Sequence, residues 1–548
     1  MQKYPTAASA QPMLHKGAST APLPMSMSQR RTTDVFFLVL FILCALLPQL
    51  LLAGYAFAMW MNQGESSSFS ISQHNLSQAA SSWSRWLGVP LDDLADQVGS
   101  ALVIASMSGL FLLHFLRVMM VRAVLYTAIF GSIAALLCAG LGVSFGGLDV
   151  LPTPLQGQDG SPSMLSQMVS ARLGDLLIVA GIVEAGLVAY FWNQIWLAVG
   201  VLRSTQEFLM DAGASVILCQ NVCCGIVHAF GIMLWSGSCL GAWTLLQAET
   251  GVGQVLRERY AGHVLFLLVL CYFWGNCFVS AVSSFTVAAV SAEWYYTSPY
   301  ERKRVVVTPD HLLRVLKVGL FRHGGSLALG ALLLALVRTM NFFLFWASRV
   351  EDIAAEKRPG GSQEFEQHSW LRRSIRRTRE GAGRLLEALA HWASKQAYVE
   401  IAVTGSSFLR GAAKAATRAR EAPKKFLAVE AAGFLQRGSC EVLLIVTAAA
   451  GSALVSVIRH GEYHVKEVGV ACFVAWLIAE SVLHPVSLAT TAILHCLLID
   501  KCQAKLPHTP RALARALQNA AAASGAAPPS SQSEDDALDY AAHYRAGV

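Results

Sequence analysis

Apolar positions along this chain come in long unbroken runs, and polar residues collect between them. From Ala212 to Ala248, and again from Tyr260 to Ala292, there is no Asp, Glu, Lys or Arg. A hydrocarbon core ~30 Å thick is crossed by about 20 apolar helical residues. Runs of this kind predict spans at 35–60, 97–118, 121–147, 175–201, 217–247, 260–292, 319–348, 396–418, 438–459 and 466–499. The expected fold class is therefore an all-α polytopic membrane protein of about ten transmembrane helices, occupying 34–500.

The polar stretches assign sides. Residues 1–33 are rich in Ser, Pro, Gln and Met and read as a disordered leader, with Arg30 and Arg31 beside the first run. No secretory signal precedes that run, so it is expected to stay as the first span. Basic residues favour the cytosolic side, which predicts an N-in, C-in chain. The 62–96 loop then faces out; it holds Glu65, Asp92, Asp93 and Asp96, and a sequon for glycosylation at Asn75. The 149–170 loop lacks Lys and Arg and faces out, whereas 293–318, with Arg302, Lys303, Arg304, Arg314 and Lys317, faces in. Residues 349–395 break the pattern. Counting places this strongly basic loop outside, yet its charge favours the inside. Either 319–348 does not cross fully or 396–418 is re-entrant. The 501–548 tail reads as cytosolic and mostly disordered.

Composition narrows the class. The 548 residues are 54% hydrophobic and 14% charged, against about 25% charged in an average soluble domain. The net charge of +7 is spread between apolar runs, which suits a membrane chain and not a nucleic-acid partner. The 12 cysteines avoid both outward loops, so no disulfide is expected there. Cys219, Cys223 and Cys224 have helical spacing, but buried Cys usually acts as a small apolar filler; no metal and no cofactor is expected. There is no GxxxxGK[ST], HExxH or GxSxG, so a catalytic role and an ATP-driven pump are both disfavoured.

Ionisable groups inside spans are costly and need a reason. Glu184 and Glu480 are each the sole acid in the interior of their span, Asp175 and Glu467 standing at the ends. Each reads as a counter-charge for a cation or a proton acceptor, or as a protonated acid bonded to a neighbouring helix. Trp235 and Trp274 lie near the centres of their segments, where ring faces attract a cation that cannot be hydrogen-bonded; packing is the alternative for both. Asn276 is a buried amide, either touching substrate or bonding between helices. Pro485 is expected to kink the last span.

Several blocks in the second half together resemble the choline transporter-like family. They start at Tyr272-Phe273-Trp274-Gly275-Asn276-Cys277-Phe278-Val279 and at the run ending Ala292-Glu293-Trp294-Tyr295-Tyr296. The best match is Arg322-His323-Gly324-Gly325-Ser326-Leu327-Ala328-Leu329-Gly330-Ala331, similar to the family's R-Y-H-x-G-S-L-A-F-G. Gln396-Ala397-Tyr398 resembles its N-A-Y, and His495-Cys496-Leu497-Leu498-Ile499-Asp500 its L-F-L-C-F-x-E-D. The blocks keep family order and spacing over 260–500, and more loosely from 175. The sequence departs at Gln396, at Glu480, in a short first outer loop, and in a basic stretch where the family has a cysteine-rich one. The resemblance implies a carrier in the plasma or an organelle membrane, moving choline or ethanolamine by alternating access and feeding phospholipid synthesis. Trp235, Trp274 and Tyr398 would then supply rings and Glu184 the counter-charge, with Asn276 close by. Membrane lipids are the other expected partner; the oligomeric state is open. A channel or scramblase, or a non-transporting scaffold, is the alternative reading.

Overall fold

A computed structural model describes residues 32–63, 103, 107, 121–146, 164–212, 214–247, 251–297, 308–356, 369–461, 465–502 and 509–523. Among these residues the regular elements are all helical. The first run folds as α1 (Val35–Phe41), a π turn (Ile42–Leu46) and α2 (Leu47–Gln63). Next come α3 (Val121–Gly146), α4 (Met164–Tyr190), α5 (Trp192–Ala212) and α6 (Ala214–Gln247). A short α7 (Gly251–Val255) leads through a second π turn into α8 (Ala261–Tyr296). The chain continues with α9 (Pro309–Glu356), α10 (Ser369–Thr404), α11 (Phe408–Glu421), α12 (Pro423–His460), α13 (Val465–Cys502) and α14 (Arg511–Ala523). Of the expected 97–118 span only residues 103 and 107 are described, and Asn75 lies outside the described residues.

Seven helical segments are long and apolar enough to cross a membrane, and a bent pair makes a possible eighth. That pair corrects the 175–201 expectation of one straight span. The chain turns by 77° between α4 and α5. Polarity explains the turn: α5 carries Arg203, Glu207 and Asp211 on one side, while Leu197, Ala198, Val201, Leu202 and Phe208 on the other are buried. Gly200 lets Ala516 of α14 lie directly on α5, with Leu513 fully buried beside it. Part of the tail read as disordered is thus a docked helix. The 396–418 segment also differs from one continuous span. It is interrupted at 405–407, where Gly405 takes φ 67°, a backbone conformation that glycine adopts without steric cost.

The outer surface is apolar. Ile182, Ile226, Phe230 and Met233 are all more than 60% exposed or within a few per cent of it. Contiguous apolar surface of this kind is unfavourable in water, and lipid removes that penalty. The core is built from α8, α9, α10 and α13, around Phe285, Trp294, Tyr295, Leu327, Ala328, Ile401, Ala489 and Ile493. Alanines recur within it, among them Ala281, Ala288, Ala328, Ala335 and Ala492, which lets backbones approach closely there.

Residues just ahead of α1 tie it to this core. Asp34, in the left-handed region at φ 53°, turns its carboxylate toward two elements. Ser326 Oγ of α9 donates to Asp34 Oδ2 at 2.6 Å, and the Phe408 backbone N–H at the start of α11 donates to the same oxygen at 3.2 Å. Ser407, the residue at the N-cap of α11, makes no side-chain cap bond, so a carboxylate from the far end of the chain does that work. Thr33 N–H donates to the Arg322 carbonyl at 2.8 Å, and Thr33 Oγ1 lies 3.1 Å from His323 Nδ1.

Candidate functional site

Helices α9 and α10 run antiparallel, as their contacts show: Arg338 meets Glu387, Asn341 meets Gly383, and Ser348 meets Glu380. Residues 338, 341, 342 and 345 recur at helical spacing on one side of α9, and 380, 383, 384 and 387 on one side of α10. Between these faces and Phe273 of α8 lies a hollow of about 480 Å³. That size falls in the ~300–1,000 Å³ range of small-molecule sites. Phe273, Phe342 and Phe345 supply its rings, with Phe273 and Phe342 centred 6.2 Å apart in an edge-to-face arrangement.

The carboxylate of Glu387 is held firmly. Arg338 Nε donates to Oε1 at 3.1 Å and Asn341 Nδ2 to Oε2 at 3.1 Å. Asn341 also donates to the Gly383 carbonyl at 2.9 Å. A Cβ at residue 383 would stand 2.6 Å from Asn341 Oδ1, so any side chain there would push the Asn341 amide from its place. Arg338 Nη1 reaches Cys277 Sγ of α8 at 3.4 Å. Ser348 Oγ donates to Glu380 at 3.3 Å. A group entering the hollow thus meets aromatic faces and a carboxylate already oriented.

None of the residues expected from sequence is among the lining residues of this hollow. Trp274 is buried; its N–H donates to the Ala328 carbonyl at 3.0 Å and its ring lies edge-on to Phe41 at 5.3 Å. Tyr398 is buried against Phe408 and beside Gly330. Trp274 and Tyr398 therefore flank one small-residue stretch of α9. Trp235 packs 4.8 Å from Tyr272 and donates to the Leu268 carbonyl. Asn276 is half-buried on α8. Glu184 is on α4 and accepts from Ser132 of α3 at 2.6 Å, away from these rings. The helical spacing of Arg338, Asn341, Phe342 and Phe345 was the available signal for the hollow, and Glu387 was masked by the basic residues around it.

A second polar assembly runs through α10, α12 and α13. Glu430 accepts from Gln396 at 3.0 Å and Thr491 at 3.1 Å, with Lys395 Nζ at 3.5 Å. Gln396 Oε1 lies 2.8 Å from His495 Nε2, whose Nδ1 lies 3.5 Å from Glu400. Glu400 pairs with Arg418 of α11. Glu480, the acid in the interior of its span, pairs with Arg437 of α12, which also holds Glu441 at 2.7 Å. Ionised groups in low-dielectric surroundings persist when paired this way.

Comparison with known proteins bears on the same region. A family model described as plasma-membrane choline transporter matches residues 176–502. A CTL-like protein of Dictyostelium discoideum is 33% identical over 82 residues, a stretch that covers 15% of this chain and 15% of that one. Every residue lining the hollow lies inside the matched region.

Proposed function

The chain belongs to the plasma-membrane choline transporter family, and from that premise we propose that it carries choline or ethanolamine by alternating access, without ATP hydrolysis, through the hollow between α8, α9 and α10. One observation carries the assignment: three phenyl rings and a pre-oriented carboxylate face a cavity of small-molecule size. Ring faces attract an ammonium that has no proton to donate, and Glu387 offers the opposite charge. In this reading Trp274 and Tyr398 brace α9 behind the site, Trp235 and Asn276 support the neighbouring face of α8, and Glu184 ties α4 to α3. The ends of the chain face the cytosol, the host bilayer is the plasma membrane, and cargo feeds phospholipid synthesis.

The purified full chain in lipid vesicles is expected to show saturable uptake of labelled choline. Phe342→Ala and Glu387→Gln should each raise KM by about tenfold, a size in keeping with one desolvated ring–cation contact or one charged contact. Uptake that never saturates, for choline and ethanolamine alike, removes the proposal.

A further inference from the structure

We propose that this hollow favours a zwitterionic amine, an ammonium joined to a phosphoester or carboxylate, over an amine carrying positive charge alone. The inference rests on the amine reading above and narrows its substrate class. It starts from the charges of the lining. Three guanidiniums, of Arg338, Arg379 and Arg384, face two carboxylates, of Glu380 and Glu387. The formal excess is positive, which by itself opposes a bare cation.

The partners locate that excess. Arg338 is engaged by Glu387 and Cys277, and both carboxylates are held. Arg379 and Arg384 are exposed on α10. They line the same cavity as the phenyl rings. One cavity therefore offers ring faces, a fixed carboxylate and two exposed guanidiniums, whose planar donors suit phosphate and carboxylate oxygens. A molecule with an ammonium at one end and an anion at the other satisfies both kinds of group at once. Choline satisfies only the rings and the carboxylate.

The test is competition against labelled choline uptake by the full chain in vesicles. The competitors are unlabelled choline, phosphocholine, glycine betaine and inorganic phosphate. Phosphocholine is expected to half-inhibit at a concentration about tenfold below that of choline, with inorganic phosphate weak. Arg379→Gln with Arg384→Gln should erase that advantage and strengthen choline itself, an opposite movement that general damage to the fold would not produce. Arg384→Lys should retain part of the advantage, because the point charge stays while the planar fork goes. Vesicles made with and without phosphatidylcholine separate two sources of the headgroup. Suppression of phosphocholine competition by the lipid identifies a lipid-borne ligand, and its persistence identifies a soluble one; either supports the inference. Saturable choline uptake with phosphocholine no stronger than choline overturns it and leaves the amine reading standing. Inorganic phosphate competing as well as phosphocholine also overturns it. If neither choline nor phosphocholine gives a saturable response, both readings fall together.

Discussion

Gly325→Ala is expected to free the start of α1 from the bundle and to cost about 3–5 kcal/mol of stability. A Cβ at residue 325 would overlap the carbonyl oxygen of Asp34 and crowd that of Thr33. These are backbone atoms, so no rotamer change relieves the clash. The Thr33–Asp34 segment has to move, and its bonds go with it: Ser326 to Asp34, the Phe408 N–H to Asp34, and the Thr33 N–H to the Arg322 carbonyl. A neutral bond contributes about 1 kcal/mol net and one to a charged group about 1.5–3, which sets the estimate. The adjacent Gly324→Ala is the internal control. Its new methyl would meet the Leu38 methyls at 3.3 Å, the flexible end of a side chain that can shift at little cost. Thermal unfolding of the two variants in detergent should therefore diverge by several degrees. Equal melting temperatures would mean that the contact ahead of α1 contributes nothing to the fold.

Glu400→Gln is the other large effect, again about 3–5 kcal/mol. Glu400 is fully buried, and its carboxylate is the counter-charge for Arg418 and the neighbour of His495. The amide keeps the shape but not the charge, which leaves a guanidinium only 13% exposed without its partner. Removing one member of a buried pair is far more costly than replacing both. Arg418→Met placed on the Glu400→Gln background is therefore expected to recover much of the loss. A melting series over wild type, both single variants and the double variant measures the coupling. Simple additivity of the two single changes would show that the pair does not act as a unit.

Both predictions turn on contacts between residues far apart in the chain, and this marks where the sequence stops being readable. The runs around Ala212–Ala248 and Tyr260–Ala292 announce helices directly, since a backbone in lipid must satisfy its own hydrogen bonds locally. Those runs appear as α6 and α8. The order of the motifs around Arg322–Gly330 was enough to indicate the family. The break at Gly405 was partly visible, because the charges of 349–395 already conflicted with a simple count of crossings. The site was less legible. Trp274 and Tyr398 are conspicuous as rings in apolar runs, yet a ring that fills a core and a ring that lines a hollow look alike in one dimension. Glu480 looks solitary until Arg437, 43 positions away, comes to face it.

The sequence by itself determined that the chain is a helical membrane protein, because span length and backbone self-satisfaction depend only on local runs of residues. It also carried the family, through short motifs in a fixed order. Only the tertiary structure decided which ionisable groups are compensated, which glycines are needed for close approach, and which face of α9 borders open space. Those properties belong to pairs of helices: the charge on Glu387 or Glu400 is tolerated because of an arginine supplied by another element, and no reading along one strand of chain contains that second partner.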